Sequence, residues 1–504
     1  MTTSYYYTII RKLWLHMIEL LKNNRNSTPS SKKETIMSQQ TVKPEGVSGT
    51  RDLLPQDAIT LDRLISKIRA VYESFGFVPL DTPCLEKWGV LTGNEPTNKS
   101  LYRAKIVRGI EDKGVSSEEL ASDDSALRFD LTVPLARVVS ANPDLPRPFK
   151  RYQIGKVFRG ERAQAARQRE FTQFDFDIVG SASIVADVEV IQIMYTTMRS
   201  LGVPRFLIRF NTRKVLNGLA EMVGSGEKST ELFRIIDKSD KVSVEEILTE
   251  LQRKPDNEFD ESALHLSDDQ ANVVRKFLEL RGADTESTLQ KLEELINSAP
   301  SEIAKEGLEE LKTIANMLRH LGIPEDFWAV DLSVARGLDY YTGPVFETIL
   351  PDMPELGSVF SGGRYDGLVN RFMPGSNLPA VGASVGIDRM LSALQKFDLL
   401  PPISTMTTVL VSIFNPKLAA DSLLLAKELR EAGLNAEIYL GNDSMLRAQI
   451  TYAIKQDIPF MVILGPDELA KGQVQLKNLR AKSQSFLSRK ECIELIKNTI
   501  SVTE

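Results

Sequence analysis

Between Phe158 and Glu170 the chain places Arg159, Arg162, Arg167 and Arg169, with Glu161 and Gln164 among them. A guanidinium offers a planar fork matched to phosphate oxygens, so this density of arginine suits an anionic ligand. Directly afterwards Gln173, Asp175 and Asp177 alternate with Phe174, Phe176 and Ile178. Alternate residues of an extended chain share a face, which sets an amide and carboxylate row beside the cations. Together they would hold a small zwitterion next to a nucleotide. The alternative is a solvated basic hairpin, or a nucleic-acid patch without chemistry.

Further stretches carry candidates. Leu127 to Pro134 reads as a strand leading into a helix, with Asp130 and Thr132 pointing the same way. An aspartate there would receive an α-ammonium and the threonine hydroxyl would orient it; the alternative is an N-cap pair for the helix that Pro134 opens. Ala335 to Gly343 holds Arg336, Tyr340 and Tyr341 in a glycine-flanked turn. Ser361 to Asp366 reads as a glycine turn where backbone can approach a ligand. Val381 to Arg389 passes from strand to helix, with Arg389 in the first turns.

The elements that must position these groups are legible in outline. Phe149 to Gly180 reads as strand, exposed loop, strand. Leu61, Leu64, Ile65, Ile68, Val71, Tyr72 and Phe75 keep helical spacing, and Gly76 stops that helix before a short strand from Phe77 to Thr82. Residues 215–321 turn helical and acidic, with segments expected at 243–252, 268–281 and 286–297. After a Pro-Pro linker at Pro401-Pro402, strands at 407–413, 435–440, 458–464 and 473–477 alternate with helices at 416–432, 443–456 and 489–500.

The order of residues resembles a known family. Phe158-Arg159-x-Glu161-Arg162, a loop, then Arg169-Glu170-Phe171-x-Gln173 resembles the second signature motif of class II aminoacyl-tRNA synthetases. Gln173-x-Asp175-x-Asp177 and Ala335 to Gly343 resemble the histidyl members in particular, and Val381 to Arg389 resembles the third class II motif. The resemblance implies an α+β fold: an antiparallel-sheet catalytic domain over residues 44–400 with a helical insertion at about 215–325, then an α/β anticodon-binding domain over 405–504.

It also implies a reaction. L-Histidine would be activated by ATP, as its magnesium complex and with no tightly bound cofactor, and passed to the 3′ end of tRNA(His). Arg159 would bind the α-phosphate, Arg389 the γ-phosphate and adenine side, and Arg336 both the substrate carboxylate and the α-phosphate. Glu161 joins the ATP site; Asp130, Thr132, Gln173, Asp177, Tyr340 and Tyr341 form the histidine site; Arg162 and Gln164 meet the acceptor end. No residue is assigned to a metal. A homodimer in the cytoplasm is expected, without a membrane. Departures are the loop Ala163 to Ala166, which lacks the family's proline and glycine, and Asn94 to Lys113, which matches poorly. A histidine-sensing regulatory relative of this fold would lack the C-terminal domain and erode the arginines. An uncharged-tRNA sensor would bring kinase motifs.

Composition narrows the classes. At 504 residues the chain suits about three domains. A net charge of -6 means that RNA must be met by local basic patches. Cys84 and Cys492 are too few for a disulfide framework or a structural zinc site, which favours a reducing compartment. His16, His265 and His320 stand apart, against histidine-based metal sites and against a Ser-His-Asp hydrolase. No run reaches the ~18 apolar residues of a membrane span. Residues 1–43 read as an extension, disordered or targeting-like, with Met37 as an alternative start.

Overall fold

Helix α1 (Pro55–Ser74) begins on Pro55, whose missing N–H is no loss at a first helical position. Its stripe Leu64, Ile68, Val71 and Tyr72 is buried. The structure, a computed structural model, describes residues 43–93, 100–104, 124–162, 168–240, 242–255, 260, 263–280, 284–334, 340–400 and 403–501. The expectations for residues 1–42 and for Gln164, Arg167 and Arg336 lie outside the described residues. Val47–Glu504 clusters as one unit.

After α1 come β1 (Val78–Pro79), β2 (Leu85–Lys87), β3 (Arg103–Ala104) and β4 (Ser125–Leu127), then helix α2 (Thr132–Ala141). The hairpin β5 (Phe149–Phe158) and β6 (Glu170–Val179) follows, then helix α3 (Ile184–Ser200) and β7 (Leu207–Thr212). Helices Arg213–Met222, Ser229–Ile236, Val244–Gln252, Asp268–Glu279, Thr285–Ser298 and Glu302–His320 make the expected helical stretch. Strands β8 (Trp328–Val330), β9 (Pro344–Ile349), β10 (Ser358–Arg364) and β11 (Ala380–Gly386) then return to the sheet, and α4 (Ile387–Lys396) closes it.

The main sheet runs β1-β5-β6-β11-β10-β9-β7-β8, antiparallel within and parallel at its two outermost pairs. Its middle strands are covered on both faces. Phe174 and Phe176 of β6 meet Tyr72 of α1, with ring centroids 4.9 and 4.7 Å apart. The opposite face, which carries Asp175 and Asp177, is buried as well. A second apolar cluster built from Phe129, Val133, Leu135, Tyr365 and Leu378 packs with Tyr340 and Tyr341.

A five-stranded sheet occupies the C-terminal part, from β12 (Val409–Val411), β13 (Ala436–Ile438), β14 (Phe460–Ile463), β15 (Gln473–Asn478) and β16 (Ser483–Ser488), in the order β13-β12-β14-β15-β16. Strand β16 was not anticipated. It is an edge strand with mostly exposed side chains, so it carries no alternation to read.

Three local expectations need correction. Only Val78–Pro79 of the stretch from Phe77 to Thr82 is strand. Asp130 and Thr132 lie at the entry to α2 rather than along a strand, and Asp130 Oδ1 accepts from the Val133 N–H at 3.1 Å, as a cap would. Ser361 to Arg364 is the end of β10 and not a turn.

Candidate active site

Strand β6 is the spine of the site because its polar face has a neighbour on either side. Arg151, Asp177 and Gly382 stand directly opposite one another across β5, β6 and β11; so do Gln153, Asp175 and Ser384, and Gly155, Gln173 and Gly386. Directly opposed residues present side chains on one face. The glycine at 382 is required there. A Cβ would sit 2.2 Å from Asp177 Oδ1.

Asp177 is held from both ends. Arg151 Nη2 lies 2.7 Å from its Oδ2, and the Tyr365 hydroxyl donates to Oδ1. Arg151 is fully buried and also donates to the Leu131 carbonyl at 3.3 Å. Gln173 Nε2 donates to Ser384 Oγ at 2.9 Å. Tyr341 lies over Gly363, where a Cβ would meet its ring at 2.8 Å. Tyr340 contacts both Tyr341 and Tyr365, with centroids 5.1 and 5.7 Å away, and its hydroxyl bonds with Thr132. Asp130, Thr132, Gln173, Asp177, Tyr340 and Tyr341 are thus drawn from three stretches of chain into one cluster.

Burial governs its electrostatics. Desolvation pushes the Asp175 carboxyl up to about 7; the Arg151 guanidinium opposes this and the Asp177 and Asp130 carboxylates add to it. Asp177 is also raised by burial, against Arg151 and the Tyr365 hydrogen bond. Tyr340, Tyr341 and Tyr365 are all raised by burial, so each phenol keeps its proton and can donate. Among the described residues, Gln173 Oε1, Asp175 Oδ1 and Arg151 Nε and Nη1 are buried without a hydrogen-bond partner. Unmet donors and acceptors are costly inside a protein, and their gathering on one face makes this a candidate ligand site.

The arginines flank this cluster. Arg159 Nε donates to the Phe129 carbonyl at 3.2 Å, next to Asp130, and its guanidinium lies 5.0 Å from the Phe171 ring centroid. Arg389 Nη1 donates to the Ser358 carbonyl at 2.7 Å. Asp388 joins three elements, accepting from the Thr172 N–H at 2.9 Å and pairing with Arg51 at 2.8 Å. Arg162 and Glu161 are exposed, away from the buried cluster. The approach to the stretch that holds Arg336 is anchored. Arg209 Nη1 meets Asp331 at 3.0 Å, and Asn211 Nδ2 donates to the Leu332 and Val334 carbonyls at 3.1 and 3.3 Å.

Sequence reasoning did not select Arg151, Tyr365, Ser384 or the Arg51–Asp388 pair. Arg151 stands at period two with Gln153 on β5, a signal that pairing register alone makes meaningful. A cavity of about 620 Å³ lies elsewhere, lined in part by Asp187, Lys214, Glu310 and Arg364 and by none of the clustered residues. Its charges pair internally, Arg364 with Asp187 at 2.6 Å and Lys214 with Glu310 at 2.8 Å.

Comparison with known proteins bears on most of the chain. A family model described as histidyl-tRNA synthetase matches residues 49–390, and one described as an anticodon binding domain matches residues 408–499. The chain is 39% identical over 464 residues to the histidine–tRNA ligase of Wolinella succinogenes, covering 91% of this chain and 98% of that one. It is 39% identical over 469 residues to the histidine–tRNA ligase of Clostridium tetani, covering 92% and 100%. The crystal structure of histidyl-tRNA synthetase from Nostoc sp. PCC 7120 aligns with a TM-score of 0.77 at 33% identity, covering 91% of this chain and 100% of that one.

Proposed function

The chain belongs to the histidyl-tRNA synthetase family, and on that premise we propose that it is a histidine–tRNA ligase whose amino-acid pocket is the buried cluster around Asp177. It joins L-histidine to ATP as histidyl-adenylate, releasing pyrophosphate, and then passes histidine to the 3′ end of tRNA(His). The observation that carries this reading is the convergence of Asp130, Thr132, Gln173, Asp177, Tyr340 and Tyr341 beside unmet hydrogen-bonding atoms.

In the first step the histidine carboxylate attacks the α-phosphorus, anion against anion. At ~4 Å two unit charges repel by about 1 kcal/mol in water and by several in a partly buried site, so fixed cations must offset the approach. Arg159 takes the α-phosphate, Arg389 the γ-phosphate and adenine side, and Arg336 spans carboxylate and α-phosphate; Glu161 joins the ATP site. Magnesium enters with ATP as part of the substrate.

Recognition of the side chain follows from its chemistry. A neutral imidazole offers one N–H donor and one acceptor. Asp130 and Thr132 receive the α-ammonium. Gln173 and Asp177 serve as acceptors for N–H groups, and protonated Tyr340 and Tyr341 supply hydroxyls and ring faces. A pocket that hydrogen-bonds a ring N–H rejects isosteres lacking it by roughly 10⁴-fold or more.

In the second step the terminal ribose hydroxyl attacks the adenylate carbonyl and AMP leaves. Arg162 and Gln164, in the sequence between β5 and β6, contact the acceptor end, and residues 405–504 read the anticodon as a domain distinct from the catalytic one over 44–400. The chain works as a homodimer in the cytoplasm; no helix among the described residues is long and apolar enough to cross a membrane.

The deciding experiment is amino-acid-dependent exchange of pyrophosphate into ATP, with Arg336→Ala and Arg159→Ala alongside. Exchange with histidine alone, lost in both variants, is expected. Histidine binding without exchange would overturn the ligase reading in favour of a sensor.

A further inference from the structure

The cluster around β6 holds three buried carboxylates, Asp130, Asp175 and Asp177, and the fully buried cation Arg151; Arg128, also buried nearby, gives its guanidinium to the Lys156, Thr82 and Pro83 carbonyls. Of the hairpin's arginines, Arg162 is exposed, whereas Arg151 sits deep on β5, opposite Asp177 and diagonal to Asp175. It spends one nitrogen on Asp177 and on the Leu131 carbonyl; Nε and Nη1 have no partner among the described residues.

We propose that Arg151 is a positioning residue of the amino-acid pocket, the buried counter-cation that keeps Asp175 and Asp177 as acceptors for the N–H groups of the substrate. The proposal rests on the ligase reading and adds to it a charge relation that no single motif contains. A carboxylate in an apolar interior tends to take up a proton, and a protonated acid offers a donor where the substrate needs an acceptor. The groups facing Asp175 are Arg151 from β5, Asp177 on its own strand, Ser384 from β11, Asp130 at the entry to α2, and Tyr341; Tyr72 of α1 feels its charge from the other face of the sheet. Tyr365 faces Asp177. Arg151 is the cation of that set. Its attraction opposes burial at both acids, and the Asp175 carboxyl, pushed up to about 7, stands where a small loss of attraction changes its protonation.

The test measures histidine binding by calorimetry, and KM for histidine and for ATP by pyrophosphate exchange, between about pH 6 and 9 for the unaltered protein, Arg151→Lys and Arg151→Leu. The imidazole of free histidine titrates in this range too, but identically for every variant, so differences between profiles belong to the protein. Arg151→Leu should weaken histidine binding about 10-fold or more at pH 7 and move the pH at which binding begins to fail upward by roughly a unit. KM for ATP should stay within about twofold, and Arg151→Lys should keep the unaltered pH profile. If the leucine variant does not fold, Asp175→Asn replaces it and should remove the loss of binding near pH 7. Variants that lower kcat uniformly with an unmoved pH profile, or an Asp175→Asn protein that keeps the pH-dependent loss, would overturn the proposal. Unaltered protein that binds histidine without exchanging pyrophosphate would sink the ligase function alone, leaving the binding profiles to decide Arg151. Protein that does not bind histidine would sink both.

Discussion

The phenol of Tyr365, just past the end of β10, donates its O–H to Oδ1 of Asp177 on β6, with strand β11 lying between them. Because Arg151 occupies the other carboxylate oxygen, Asp177 is fixed in direction before any ligand arrives. Preorganised acceptors of this kind spend little of the binding energy on ordering. Burial above all, then the charge of Asp177 and this bond to it, keep the phenol protonated.

Tyr365→Phe removes that donor with little change of shape. A hydrogen bond to a charged group contributes about 1.5–3 kcal/mol, so kcat/KM for histidine should fall roughly 10- to 100-fold. Most of the loss should be in KM. Pyrophosphate exchange at varied histidine checks this, and an unchanged KM would show that the bond plays no part in recognition.

Gly382→Ala puts a methyl group 2.2 Å from Asp177 Oδ1 and close to the Phe176 carbonyl. Overpacking in a filled interior costs about 1–3 kcal/mol, which should appear as a lower urea midpoint. Displacing Asp177 should cost more in function than in stability, on the order of 100-fold in histidine-dependent exchange. A variant with the original activity would mean that the strand shifts freely to make room.

Arg51→Ala breaks the pair with Asp388, whose neighbour Arg389 is proposed to hold ATP. Arg51 is partly exposed, and such pairs are worth ~0–1 kcal/mol, so KM for ATP should rise no more than about fivefold. KM for histidine should not move. An equal rise in both constants would point to general loosening of the strap from Val47 to Arg51.

Asp175→Asn should change how stability responds to pH. The folded-state value of about 7 stands above the ~3.9 of an unperturbed aspartate, so the folded protein binds this proton more tightly than the unfolded chain. The carboxyl's contribution is therefore fully present below about pH 4 and is lost as pH rises through about 7. The asparagine variant lacks that loss. Its stability relative to the unaltered protein should grow with pH by up to about 1.4 kcal/mol per unit, then level off. Urea unfolding on either side of neutrality measures the difference; a constant offset would show that Asp175 does not titrate in this range.

Much of this protein follows from local pattern. The β5–β6 hairpin, the shared face of Gln173, Asp175 and Asp177, the stripe of α1 and the alternation of elements after Pro402 are all set by the spacing of apolar residues. Periodicity acts over a few residues and is therefore readable along one chain. Other features depend on which strands become neighbours. The same Ser-Gly-Gly-Arg run that suggests a turn becomes the end of β10, because pairing with β9 and β11 supplies the partners that an isolated segment lacks. Gly382 looks like a generic spacer until β11 pairs with β6 and sets it against Asp177. Arg151 reads as one more basic residue until burial and register make it the counter-charge of Asp177. Sequence alone determined which residue types line the faces. The tertiary pairing of β5, β6, β10 and β11 decided which charges meet, because desolvation and direct contact act only between groups that the sheet has brought side by side.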